Sequence, residues 1–129
     1  MKFLGKLQPL AYDLLRIVAA FMFACHGAQK LFGVLGSTMN PPLFSLIWVA
    51  GLIELVLGAA ILVGFQTRFA AFICSGEMAV AYFLAHWHGS FDESFFPVVN
   101  HGEPAVLYCF IFLLIATQGA GSFGVDKKG

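Results

Sequence analysis

Four long apolar stretches take up most of this 129-residue chain, and three of them carry an ionisable residue in their interior: Arg16, Glu54 and Glu77. About 20 apolar residues is what a helix needs to cross the hydrocarbon of a bilayer. A charge at that depth costs about 2.5–3.5 kcal/mol on insertion scales, so it persists where it pairs with another group or serves a site. These two facts predict an all-α, four-helix transmembrane bundle whose buried charges face one another.

The composition agrees. The chain is 60% hydrophobic and 11% charged, against about 25% charged in a soluble domain. Four spans of roughly 20 residues leave no room for a soluble domain beside them. Formal net charge is zero, and without a basic stripe nucleic acid is set aside as a partner; the lipid bilayer is the expected one. Cys25, Cys74 and Cys109 lie singly in apolar segments and read as small packing residues. Lys2 and Lys6 precede an apolar run, as in a signal peptide. Asp13 and Arg16 interrupt that run, however, and it continues to Leu31, past the ~7–15 residues of a signal core. It reads as an uncleaved first span.

The expected spans are 10–31, 43–63, 69–88 and 104–118, forming one domain over 1–129. The link Phe65-Gln66-Thr67-Arg68 is so short that the second and third helices must be antiparallel neighbours. Pro104 suits the first turn of the fourth helix, which is short and either extends into 119–123 or sits in a thinned bilayer. The tail from residue 125 is expected to be polar and loose. Lys2, Lys6, Arg68, Lys127 and Lys128 fall on one side of an even number of spans, while the two opposite loops carry no Lys or Arg. By the positive-inside rule both termini of this multi-pass protein are expected to be cytoplasmic.

A rise of about 1.5 Å per residue places Arg16 roughly 9 Å and Glu77 roughly 13 Å from the cytoplasmic ends of their spans. Glu54 comes roughly 16 Å down from the outer end of its own. One cation and two carboxylates on three helices thus share a band of depth, and a guanidinium between two carboxylates would compensate both. The layer can be a clamp that fixes helix register, a proton or redox relay, or the polar wall of a substrate cavity; otherwise one carboxyl is simply protonated and unpaired, as desolvation favours.

A second polar layer lies toward the outer face. His26 and Lys30 share a helix face, four residues apart. Glu77 and His88 share a face if the third helix runs that far, whereas His86 points elsewhere. His101, Glu103 and Tyr108 belong to the start of the fourth span. The histidine and acid spacing matches no recognised zinc pattern, so no metal site is expected. Trp48 and Trp87 suit the interfacial aromatic belt. Gly51, Leu55 and Gly58 beside Glu54, and Ser75, Gly76, Ala79 and Ala81 in the third span, read as helix-packing seams.

His26-Gly27-Ala28-Gln29-Lys30-Leu31-Phe32-Gly33 resembles the end of the first helix in the DoxX family of small bacterial membrane proteins. Gly51-Leu52-Ile53-Glu54-Leu55, followed by Leu62-Val63-Gly64-Phe65-Gln66-Thr67-Arg68, resembles that family's second-helix stretch. Gly119-Ala120-Gly121-Ser122-Phe123-Gly124-Val125-Asp126 resembles its closing motif, with Gly124 where serine is usual. The resemblance implies four membrane helices and an oxidoreductase label, with members linked to thiol and oxidative stress and acting with soluble redox partners.

The chain itself offers no CxxC, no dinucleotide loop and no iron–sulfur spacing, so a quinone between the helices is the cofactor that asks least of it. On this reading Arg16, His26, Glu54 and Glu77 are the catalytic candidates, and Lys30, His88, His101 and Tyr108 line the substrate site. Histidine suits proton exchange because its reference pKa is about 6.5. The alternative is a non-catalytic scaffold or small-molecule transporter, with homo-oligomers open in either case. A carrier would ordinarily show internal repeats, which are faint here. A channel is disfavoured, since no filter-like segment is visible.

Overall fold

A computed structural model describes residues 1–127; Lys128, one of the five charges used above for orientation, lies outside the described residues. The fold is all-α. A short helix α1 (Lys2–Lys6) leads through Leu7 into α2 (Gln8–Phe32), followed by α3 (Leu46–Val63) and α4 (Thr67–Ala81). A π-helical turn, Tyr82–His86, continues α4. A 3-10 turn (Glu93–Phe95), the short α5 (Pro97–Asn100) and α6 (Glu103–Gln118) complete the chain. Three helices are long and apolar enough to cross a membrane: α2, α3 and α4 with its π turn; α6 is apolar but shorter, at 16 residues.

Local chemistry moves the boundaries from those expected. Ser45 caps α3 by accepting from the Trp48 amide at 3.3 Å, and Pro41-Pro42 keep the preceding residues out of the helix. At the other end of α4 the Trp87 amide bonds the Tyr82 carbonyl at 2.9 Å, five residues back. That turn is anchored from outside. The Tyr82 hydroxyl donates to the Phe95 carbonyl and accepts from Asn100 Nδ2 at 3.1 Å. His86 Nδ1 lies 3.1 Å from the Asn100 carbonyl, which can only accept, so that nitrogen carries the proton. The helix ends at His86, and His88 lies beyond it.

Helix α2 packs most closely on α3 and α4 on α6, with α3 against α4 joining the pairs. Glycines set the first crossing. A Cβ on Gly27 would stand 2.7 Å from the Gly51 carbonyl oxygen, and one on Gly51 2.8 Å from Lys30 Cβ. On the other pair, Ser75 Oγ donates to the Cys109 carbonyl at 2.8 Å. Phe23, Tyr108 and Phe112 fill the centre, Phe23 meeting Phe112 edge-on at 4.7 Å and Tyr108 stacking on Phe112 at 5.7 Å. Leu14, Phe21, Phe72, Phe83, Leu107 and Phe110 point outward, as lipid-facing side chains do. Gly76 is exposed with open space around it, so it belongs to no packing seam.

The tail corrects its expectation too. Far from loose, it folds back to the level of Asp126. The Val125 and Asp126 amides bond the Val63 and Gly64 carbonyls at 3.1 and 2.7 Å. The Asp126 carboxylate accepts from the Gln66 and Thr67 amides, both at 2.8 Å, at the start of α4. These amides have no partner within their own helix, so a carboxylate there caps it and complements its dipole. Both ends of the described chain meet at this end of the bundle: Tyr12 donates to the Gly119 carbonyl at 2.5 Å, and Asp13 accepts from the Ser122 amide at 2.9 Å.

Candidate functional site

Glu54 lies on α3 immediately below the Gly27/Gly51 crossing and is 2% exposed. Its partner is Lys30, whose ammonium is 2.5 Å from Oε1, the one ion pair among the described residues. The glycine at 51 makes this possible, because a side chain there would collide with the Lys30 stem. The pair is unequal: the Lys30 side chain is 27% exposed while that of Glu54 is sealed.

Around the pair stand groups from α2, α4 and α6. Glu77 on α4 lies within the fields of Glu54 and Lys30, and Cys74, one turn before it, within those of both glutamates. Tyr108 on α6 feels the charge of Glu54 and packs edge-on against the His26 ring at 6.3 Å. His26 itself is exposed and acts on Glu54 from one turn before Lys30. Four buried oxygens here have no hydrogen-bond partner: Glu54 Oε2, both oxygens of Glu77, and the Tyr108 hydroxyl. Buried polar atoms are ordinarily paired, and unpaired ones clustered at one place ask for an explanation.

Arg16 does not join the carboxylates. It is fully buried, and Nη1 donates to the Ile61 and Leu62 carbonyls at 2.6 and 2.8 Å, in the last turn of α3. There it satisfies the Leu62 carbonyl, which the helix end leaves without a backbone partner, and adds a second donor to the Ile61 carbonyl, which also accepts from the Gly64 amide at 3.1 Å. The expected layer of Arg16, Glu54 and Glu77 is thus replaced by one in which Lys30 supplies the cation. The expected alignment of Glu77 with His88 also fails, because the π turn ends the helix first. His88 and His101 are exposed outside the long helices, and neither side chain makes a hydrogen bond among the described residues.

Sequence reasoning missed the polar knot at the terminal end. Asp13, 1% exposed, receives the backbone of the tail, and a Cβ on Gly121 would collide with its carboxylate. Arg68 donates to the carbonyls of Ala116, Thr117 and Gln118 at the end of α6. An open cleft of about 960 Å³ lies here, lined by Tyr12, Thr67, Arg68, Ser122, Asp126 and Lys127 among others. The clue was in the sequence: two glycines, a serine and an aspartate in a fixed order after the last apolar run. Gly124 packs against this knot as well: a Cβ there would collide with that of Ala120.

Long apolar helices around a buried ion pair define a helical multi-pass membrane protein. Comparison places it further: the chain belongs to the DoxX family, whose model matches residues 11–87. It is 42% identical over 135 residues to an uncharacterized protein of Haemophilus influenzae, a match covering 99% of this chain and 97% of that protein. No solved structure matches it. The matched region includes Lys30, Glu54 and Glu77 but ends before Tyr108 and the tail.

Proposed function

We propose that the protein is a redox component of the bacterial cytoplasmic membrane, crossing it four times with both termini cytoplasmic, and that it handles protons for a quinone. The observation that carries this reading is the Lys30/Glu54 pair with the unpartnered oxygens of Glu77 and Tyr108 beside it. Reduction of a quinone by two thiols gives a disulfide and a quinol. The thiols, on a small reductant or a soluble partner, release two electrons and two protons, and the quinone takes up both. Quinone carbonyls accept hydrogen bonds, and the cluster offers donors in the Lys30 ammonium and the free Tyr108 hydroxyl. Lys30 and Tyr108 would orient the head group. Glu54, held by Lys30, and Glu77 would pass protons, with His26 as the exposed point of exchange.

The test is thiol-dependent quinone reduction in membranes carrying the protein. Glu77→Gln and Tyr108→Phe are expected to abolish it while the protein stays in the membrane at its usual level. Variants that vanish from the membrane would assign these residues to holding the bundle, and full activity in both would end the redox reading. Co-purified partners with no bound quinone and no activity would leave the scaffold in its place.

A further inference from the structure

We propose that Glu77 is a proton-binding site: one exchangeable proton sits on its carboxyl at neutral pH, beside a fixed Lys30/Glu54 pair. The inference uses the cluster of the proposed function but not its quinone chemistry, and so can stand without it.

The first ground is a count of charge. The charged groups whose fields reach Glu77 are Lys30 from α2 and Glu54 from α3, with Cys74 on its own helix; His26 from α2 and Tyr108 from α6 border Glu54 in turn. Lys30 is the one permanent cation among them, and it already touches Glu54. Arg16 is not among them: it sits at the end of α3, where Nη1 donates to the Ile61 and Leu62 carbonyls. Two ionised carboxylates against one ammonium would leave an uncompensated negative charge among apolar helices.

Hydrogen bonding gives the second ground. Glu54 has a donor in Lys30, whereas neither oxygen of Glu77 has any, although both are sealed from solvent. An ionised carboxylate without donors is far costlier in such surroundings than a neutral one. A single proton removes the excess charge and turns one Glu77 oxygen into a donor. The buried oxygens left unpartnered in the cluster, Glu54 Oε2 and the Tyr108 hydroxyl, are the acceptors we assign to that donor. Their residues are 2% and 8% exposed, so this is not an acidic patch on a wet surface. A metal cation would need several oxygen ligands at once. A proton needs one.

Exchange has a short route. His26 is exposed and stands edge-on to Tyr108, and the Lys30 stem is the lid over Glu54. A proton entering at His26 or beneath Lys30 meets the cluster without crossing the apolar core of Phe23 and Phe112.

The full chain in lipid nanodiscs is treated with dicyclohexylcarbodiimide, which modifies protonated carboxyls in apolar surroundings, and the sites are read by peptide mass spectrometry. Glu77 is expected to be labelled at neutral pH, about tenfold more than Glu54, with labelling lost as the pH is raised. Glu77→Asp is expected to keep the label and Glu77→Gln to lose it. Preferential labelling of Glu54, or an unlabelled Glu77 at neutral pH in the wild type, would overturn the proposal. Protection by sodium chloride but not choline chloride would overturn it in favour of a metal cation. Labelled Glu77 without thiol-dependent quinone reduction would sink the proposed function and leave this site standing.

Discussion

The same substitution at two glycines should move stability in opposite directions. At Gly27 a Cβ would stand 2.7 Å from the Gly51 oxygen and 2.8 Å from Leu55 Cα, with the Leu55 nitrogen nearer still. All three are backbone atoms, so no side chain can turn away. Reaching an ordinary 3.4 Å contact requires α3 to retreat by at least 0.7 Å from the oxygen. Overpacking of this kind costs about 1–3 kcal/mol, and the gain in helix propensity, about 0.8–1.0 kcal/mol, offsets only part of it. At Gly76 nothing lies within 4 Å of the new atom, so propensity acts alone and Gly76→Ala should stabilise by up to about 1 kcal/mol. Thermal unfolding of the purified variants in one detergent, followed by circular dichroism, compares them directly. Gly27→Ala should melt below the wild type and Gly76→Ala at or above it. Should Gly27→Ala melt with the wild type, the glycine-to-backbone crossing of α2 and α3 is wrong, and so is the support it gives Lys30.

Three further outcomes follow from other contacts. Lys30→Met strands a buried carboxylate and should cost about 3–5 kcal/mol; adding Glu54→Gln should recover most of it in the same melts, and failure of that rescue would deny the pairing. Asp126→Ala removes the cap of α4 and should cost about 1 kcal/mol. Although partial burial alone raises the Asp126 carboxyl, the amides of Thr67 and Gln66 and the charge of Arg16 outweigh it and hold it below 3.8. Its contribution should therefore be complete at neutral pH and fade only as the pH falls through that lowered value; a wild-type advantage that disappears well above pH 3.8 would contradict this. Gly124→Ser should destabilise by about 1–3 kcal/mol, and Ala120→Gly should rescue it, measured as yield and melting temperature.

Most of the fold could be read from hydropathy, since a run of apolar residues near bilayer length has few alternatives to a helix. Polar detail could not. The π turn at the end of α4 arises from Tyr82 and His86 being held by Phe95 and Asn100, residues 13 and 14 positions away, and no local pattern announces it. The folded tail depends on Asp13 and on the bare amides at Gln66 and Thr67, which lie 109 and about 60 residues from their partners. A polar segment with three glycines looks loose until those partners are in place.

The choice between Arg16 and Lys30 turned on an offset that span lengths do not contain. Equating depth with distance from a helix end assumes that neighbouring helices end together. Here they do not: Arg16 stands level with Ile61 and Leu62, where α3 stops, yet α2 continues eight residues further, to Gln8. That overhang is about 12 Å long, and it meets α6 and the tail through Tyr12 and Asp13. Once Gly27 faces Gly51 and Leu55, residues along the two antiparallel helices pair at a fixed sum. Residue 30 then falls beside residue 51, one turn above Glu54, within reach of a lysine stem; residue 16 falls about ten residues beyond Glu54, about 15 Å too far. The small residues on α3 were legible as a packing face. Matching them to the one glycine inside α2 would have fixed the register, and with it the cation.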